Sequence, residues 1–357
     1  MMRVLFLHTS LEHGGLEQQM LTLASGLRDR GHKVIIAAAP GPAADIFEEA
    51  QIDMVSLPDP KKQRGVGRMQ MYAKCWSVLK TMHKDYDLIN LQSRFLHPVG
   101  TALAHRLKLP LVMTVHNDFE SGRMYPWHAD SYIAVSSVVA RSLAGRFGIE
   151  PDRIHVVHNG IPDEKPASPT ATTNAPSRLF TACRLVEEKG INVLLDAMPQ
   201  ICTEVPGAEL VIAGEGPLME ELRTKVRKSK LEKSVIFAGW EKNISTRYAD
   251  AAVTILASTR LEGFGLVALE AMRASRPVVS TLAGGITDVV KHNETGLLVK
   301  PGDPKALASA IIDLIRDPDK AERLGCAGRA RYEALFSADR MIEETLKVYS
   351  EALRKKR

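Results

Sequence analysis

The sequence predicts an α/β fold made of two doubly wound units, and three observations predict it. Short apolar runs alternate with amphipathic stretches along the chain, the alternation stops once, and it then restarts. The stop is a Pro-, Ala- and Thr-rich stretch over residues 162–177, which reads as a linker. Strands alternating with helices call for a parallel sheet covered on both faces, because parallel neighbours need a long crossover. A length of 357 residues also suits two cores better than one.

The apolar run at 4–7 reads as the first buried strand, followed by a helix near 16–28 and a second strand at 34–38. Further strands are expected at 88–91, 111–115, 132–135 and 154–157. Between them, Met69, Tyr72, Trp76 and Leu79 recur at the spacing of one helix face, which predicts a core-facing stripe with a solvated basic rim. The neighbouring Lys61, Lys62, Arg64, Arg68, Lys74, Lys80 and Lys84 support a second reading, a helix lying on anionic lipid headgroups. Past the linker, strands are expected at 179–181, 210–213, 235–237, 253–256 and 277–280, and residues 337–357 read as a long charged helix. The expected domains are therefore 1–164 and 178–336, joined by 165–177 and followed by that helix.

Composition narrows the function. A formal charge of +5, with 45% apolar and 25% charged residues, is an ordinary globular balance and does not point to nucleic-acid binding. Cys75, Cys183, Cys202 and Cys326 are scattered without Cys-x-x-Cys spacing, so neither a disulfide framework nor a zinc site is expected. The N-terminal apolar run is too short and too quickly polar for a signal peptide, and no run reaches the roughly 18 to 20 residues of a membrane span. A cytoplasmic location is expected, with any membrane contact peripheral and at the inner face.

The chemistry concentrates in Glu262-Gly263-Phe264-Gly265-Leu266-Val267-Ala268-Leu269-Glu270, two carboxylates around a Gly-x-Gly turn that runs into a helix. Glycines let a backbone come close to a ligand, and the free N–H groups of a helix start suit a phosphate. The carboxylates read as acceptors for hydroxyls, and hydroxyls beside a diphosphate describe a nucleotide sugar. Such a ligand needs cations. Arg184, at the end of an apolar strand, and Lys189, at the mouth of the next helix, supply them where open α/β sheets bind ligands. A buried Glu270 among Leu266, Val267, Leu269 and Met272 also needs a partner, which ribose hydroxyls would provide.

Arg184-x4-Lys189-Gly190, Ala213-Gly214-Glu215-Gly216-Pro217-Leu218, the Glu-x7-Glu loop, and Gly284-Gly285 followed by Thr295-Gly296-Leu297-Leu298-Val299 resemble the donor half of glycosyltransferase family 4. Gly14-Gly15, Thr114-Val115-His116, Ile133-Ala134-Val135-Ser136 and Asn159-Gly160-Ile161 are similar to its acceptor half. The resemblance implies the GT-B fold, two Rossmann-like domains facing across a cleft, with the last helix crossing back to the first domain. It implies a retaining hexosyltransferase that takes a nucleoside-diphosphate sugar, expected to be a UDP-sugar, to a sugar or lipid-linked acceptor in cell-surface polysaccharide or glycolipid synthesis. His116, Arg184, Lys189 and Glu262 are implied as catalytic. Gly14, Gly15, Gly214, Gly263, Phe264, Gly265, Leu266 and Glu270 are implied as donor-binding, with Glu262 on the sugar hydroxyls and Glu270 on the ribose.

The chain departs from the family pattern at Cys183, where Gly is usual, at Thr287-Asp288 in place of Pro-Glu, and at Ala274-Ser275 in place of Cys-Gly. His13-Gly14-Gly15-Leu16-Glu17 does not supply the Gly-x-Gly-x-x-Gly of a nicotinamide site. Asp85-Tyr86-Asp87 superficially matches a metal-binding Asp-x-Asp but sits at a strand entrance, so no metal and no cofactor are expected. Asp118 reads either as an orienter of His116 or as a turn residue. A nucleotide-sugar epimerase or phosphorylase, and a noncatalytic two-domain binding protein, remain the alternative readings.

Overall fold

The computed structural model describes residues 1–59, 64–117, 128–164, 177–241, 244–260 and 262–356. The chain forms two compact units, Met1–Pro162 with Ala338–Arg357, and Asp163–Ser337.

The first unit runs β1 (Arg3–Ser10), α1 (Gly15–Asp29), β2 (Lys33–Ala39), α2 (Ala44–Glu49), β3 (Asp53–Ser56), α3 (Gly65–Thr81), β4 (Leu88–Leu91), α4 (His97–Leu107), β5 (Leu111–Val115), β6 (Ser131–Ala134), α5 (Ser137–Phe147) and β7 (Ile154–Val156). Its sheet has the order β3-β2-β1-β4-β5-β6-β7 and every pairing is parallel. The central strands are buried along nearly their whole length, which is why they read as continuous apolar runs and not as alternating ones. Ser136 caps α5 by accepting the Val139 N–H, and Gly148 ends it in the left-handed region.

The second unit runs β8 (Arg178–Ala182), α6 (Ile191–Glu204), β9 (Glu209–Ala213), α7 (Met219–Lys228), β10 (Val235–Gly239), α8 (Ser245–Asp250), β11 (Val253–Leu256), α9 (Leu266–Arg273), β12 (Val278–Thr281), α10 (Ile286–Val289), β13 (Leu297–Val299), α11 (Pro304–Arg316) and α12 (Pro318–Leu335). Its parallel sheet has the order β10-β9-β8-β11-β12-β13. Asp303 and Asp317 cap α11 and α12 through the N–H groups of Ala306 and Lys320, each followed by a proline at the first helical position. Asp163 and Glu164 are tied into this unit by ion pairs to Arg329 at 2.8 Å and Arg273 at 3.3 Å.

The last helix, α13 (Ala338–Lys356), packs in the first unit, where Met341, Ile342, Val348, Tyr349 and Ala352 join the core formed by β1, β2 and α1. Lys356 Nζ donates to Asp130 Oδ1 at 3.1 Å.

Two strands were not legible in the sequence. Asp53–Ser56 is a half-exposed edge strand with two apolar residues, and Leu297–Val299 is a three-residue edge. The stripe on α3 also needs correction. Cys75 and Leu79 are buried, but Met69 is 70% exposed, so the N-terminal part of that face is not core. Lys61 and Lys62 lie outside the described residues, as do Asp118 and nearly all of the 165–177 linker.

Candidate active site

In the second unit, the strand order reverses between β8 and β11, and the loops leaving the carboxyl ends of those two strands diverge there. Open α/β sheets bind ligands at such a switch point. The chain leaving β8 carries Cys183 and Arg184, then a 3₁₀ turn at Glu187–Lys189. Gly190 follows at φ +65°, and a Cβ there would stand 1.9 Å from the Ala257 carbonyl oxygen. Only glycine lets the Lys189 turn press against the end of β11.

The loop leaving β11 carries Ser258 and Glu262, and this places two predicted residues in contact. Lys189 Nζ donates to Glu262 Oε2 at 2.7 Å, and Ser258 Oγ donates to the same oxygen at 3.0 Å. Thr281 Oγ1, at the end of β12, donates to the Ser258 carbonyl at 2.6 Å and so fixes that loop from below. Both charged side chains keep some access to solvent. Arg184 is largely exposed and lies 3.7 Å from Glu188, so its guanidinium remains beside the switch point with much of its hydration intact.

Gly265 turns the chain into α9 at φ +100°, where an added Cβ would stand 2.5 Å from Ile286 Cδ1. The following N–H groups of Leu266 and Val267 open the first turn, where no intrahelical carbonyl is available to them. The side chain of Phe264 is buried and packs edge-on against Phe336, with ring centroids 5.7 Å apart. The donor-binding expectation for Phe264 therefore falls on its backbone. Gly214 has its own structural cause: at φ +120°, a Cβ would stand 2.0 Å from the Cys183 carbonyl oxygen. Burial pushes the Cys183 thiol up to about 12, so it stays neutral beside the cations.

Glu270 of α9 is partly buried, and the structure gives it a protein partner that the sequence did not reveal. The Tyr248 hydroxyl, on α8, donates to Glu270 Oε2. Burial raises the Glu270 carboxyl above the ordinary glutamate range, while the Tyr248 hydrogen bond and Arg273 oppose that rise. Tyr248 is recognisable only in retrospect, because nothing in its sequence neighbourhood marks it as facing a carboxylate one strand away.

The first unit carries His116, Gly14 and Gly15. His116 follows β5, and its Nε2 lies 2.7 Å from Gln92 Oε1. Gln92 Nε2 donates to Asn90 Oδ1 at 2.7 Å, and Asn90 Nδ2 donates to the Tyr349 hydroxyl at 2.6 Å. A hydrogen-bonded chain therefore runs from α13 to His116. With an amide oxygen facing Nε2, the network assigns the proton to Nε2 and leaves Nδ1 as an acceptor. Burial, with His8 as a second cause, lowers the imidazole to about 3, so His116 is neutral at physiological pH.

Gly14 caps α1 in an extended conformation open to any residue. What crowds it is Glu17, whose Oε2 would stand 3.0 Å from an added Cβ. The buried Glu17 carboxylate accepts the Glu12 N–H at 3.3 Å and lies 3.4 Å from His8 Nε2, which braces the Gly14-Gly15 turn from behind. Glu17 and His8 were both missed, since each reads as an ordinary residue flanking the turn. Asp87 is engaged by Arg3, whose guanidinium holds the carboxyl below its usual range.

Similarity to known proteins extends over both units. Residues 13–165 match the family model for "Glycosyltransferase Family 4", and residues 168–331 match that for "Glycosyl transferases group 1". A glycogen synthase of Mycobacterium tuberculosis is 28% identical over 387 residues, covering 96% of this chain and 92% of that protein. A GDP-mannose-dependent alpha-(1-6)-phosphatidylinositol monomannoside mannosyltransferase of the same organism is 37% identical over 154 residues, covering 41% of this chain and 40% of that one. Among solved structures, Anabaena HepE in complex with UDP and glucose superposes with a TM-score of 0.86 at 24% identity, over 98% of this chain and 100% of that one.

Two parallel doubly wound sheets with these matches define a glycosyltransferase of the GT-B fold. Its sequence places it further: the chain belongs to glycosyltransferase family 4.

Proposed function

We propose that this enzyme transfers a hexose-type sugar from a nucleoside diphosphate, UDP in our reading, to an acceptor hydroxyl with retention at the anomeric carbon. The observation that carries the reading is the meeting of Lys189, Glu262 and the Gly263–Leu266 turn at the β8/β11 switch point. A cation and a helix start serve a diphosphate there, and a carboxylate beside them serves sugar hydroxyls. HepE, whose structure contains UDP and glucose, and a relative dependent on GDP-mannose support a nucleoside-diphosphate donor.

In this reading, Arg184, Lys189 and the N–H groups of the α9 start stabilise the charge that develops as the diphosphate leaves. One preorganised donor of this kind is typically worth about 3 to 4 kcal/mol. The bond from the anomeric carbon to the phosphate oxygen breaks, the acceptor oxygen bonds to the same face, and the acceptor proton passes to the departing phosphate. Neutral His116 contributes a hydrogen bond to the sugar through its Nδ1 acceptor. Glu270 receives the ribose hydroxyls, and Gly14, Gly15 and Gly214 allow close backbone approach. The cations supply the charge that a metal supplies elsewhere, so we assign none.

We further propose that the acceptor is a sugar or lipid-linked hydroxyl of a cell-surface polysaccharide or glycolipid, reached from the cytoplasm. Val66 and Met69 project from α3 beside Arg64 and Arg68, a combination that suits peripheral contact with anionic lipid. Binding to vesicles that ignores their anionic lipid content would remove the membrane part of the reading. No described helix is long and apolar enough to cross a membrane.

The donor is tested by thermal-shift screening against UDP-, GDP- and ADP-sugars, since a ligand that binds only the folded state raises its melting temperature. Stabilisation by a UDP-sugar, followed by acceptor-dependent release of UDP, is the expected result. Conversion of the sugar without any acceptor would favour an epimerase, and a strict need for free phosphate would favour a phosphorylase.

A further inference from the structure

Glu270 is a partly buried carboxylate of α9, and Tyr248 is the hydrogen-bond donor to it among the described residues. Tyr248 is itself held rigidly. It is buried, its ring stands edge-on to Phe180 of β8 with centroids 4.9 Å apart and planes at 89°, and its helix packs against β8 and α9. The hydroxyl therefore has one place to be. A carboxylate has two oxygens, and a donor fixed on one of them orients the other.

We propose that Tyr248 is a positioning residue that holds the Glu270 carboxylate where it meets the ribose hydroxyls of the donor nucleotide. The proposal rests on the assignment of Glu270 to the ribose given above, and it adds to that assignment a residue that no sequence motif pointed to. Without the hydroxyl, Glu270 would be a partly buried carboxylate lacking its protein donor, free to turn away or to take up a proton.

The charged surroundings set the direction of the pH effect. Arg273, one turn along α9, favours the ionised form, and Glu164, paired with Arg273, opposes it. Arg329 of α12 donates to the Arg273 carbonyl oxygen at 2.7 Å, and Cys183 faces Tyr248 from the end of β8 as a neutral thiol. Burial works against ionisation and Tyr248 works for it. Removing the hydroxyl thus moves protonation of Glu270 to higher pH, and nucleotide affinity should fall off earlier on acidification.

The test is calorimetric titration with UDP of the wild-type enzyme, Tyr248→Phe, Glu270→Gln and the double variant, across about pH 5 to 8. Phe keeps the ring and its contact with Phe180. The expected result is about tenfold weaker UDP binding in Tyr248→Phe at neutral pH, an acid limb displaced to higher pH, and little further loss when Tyr248→Phe is added to Glu270→Gln. Reading each profile as a difference from wild type cancels the titration of the diphosphate itself. The Glu270→Gln variant is also expected to lose the part of the acid limb that Tyr248→Phe displaces, which gives a second readout should Tyr248→Phe fold poorly. Unchanged affinity and profile in Tyr248→Phe, or an undiminished loss in the Glu270→Gln background, overturns the positioning role while leaving the ribose assignment standing. Unchanged UDP affinity in Glu270→Gln alone overturns both.

Discussion

Lys189 Nζ lies 2.7 Å from Glu262 Oε2, so the cation of the β8 loop is held by the carboxylate of the β11 loop at the switch point of the second sheet. In the proposed reaction the two residues serve different parts of one donor, the diphosphate and the sugar. Their mutual contact has to loosen when the donor enters.

Glu262→Gln removes the competing charge from Lys189 but keeps the size of the side chain. UDP without its sugar should then bind up to about fivefold more tightly, the scale of a partly exposed ion pair. Turnover should nevertheless fall roughly 10²-fold, because the sugar loses its acceptor. Calorimetry and initial rates measure the two effects. Weaker UDP binding with normal turnover would invert the assignment.

Gly214 and Gly31 offer a matched comparison of glycines with positive φ. A Cβ at Gly214 would stand 2.0 Å from the Cys183 carbonyl, whereas one at Gly31 meets nothing within 4 Å. Gly31→Ala should cost about 1 kcal/mol from backbone strain alone, and Gly214→Ala about 2 to 4 kcal/mol because β8 and β9 must also part. Equal denaturation midpoints for the two variants would show that the close approach carries no cost.

His116 titrates near 3 in the folded protein, against about 6.5 in an unfolded chain. Between those values the unfolded chain binds a proton that the folded chain refuses, so this group destabilises the first unit as pH falls through that window. His97, also lowered by burial, adds to the same slope. His116→Gln should therefore narrow the difference in melting temperature between about pH 7 and pH 5. An equal difference in variant and wild type would mean that His116 is not refused a proton.

Tyr349→Phe tests the chain of hydrogen bonds that ends at His116. The Asn90 amide would lose the shorter of its two acceptors and keep Thr114 Oγ1 at 3.2 Å, costing roughly 1 kcal/mol of stability. Because Asn90 also accepts from Gln92, the placement of Gln92 against His116 should loosen, and kcat should fall more than KM changes. Loss of stability with unaltered kinetics would confine Tyr349 to packing α13.

The central strands were legible because both faces are covered, so that Leu88–Leu91 and Leu111–Val115 read as unbroken apolar runs. Two of the four edge strands were not, because Asp53–Ser56 is half wet and Leu297–Val299 is too short to show a period. At the site, Arg184, Lys189, Glu262 and Glu270 stood out because charge follows a strand or enters an apolar helix there. Tyr248, Ser258, Gln92 and Glu17 did not stand out. Tyr248 acts on Glu270 and Gln92 on His116 through contacts made across the fold, which leave no local pattern, whereas Ser258 and Glu17 reach groups close in sequence but within loops that have no period to read.

Calorimetric titration of UDP into the wild-type enzyme and into Lys189→Ala and Arg184→Ala tests the diphosphate cradle most directly. Saturable binding to the wild type, weakened at least about tenfold in Lys189→Ala with an unchanged far-UV spectrum and melting temperature, is the predicted result. Equal affinity for UDP in all three proteins would contradict it.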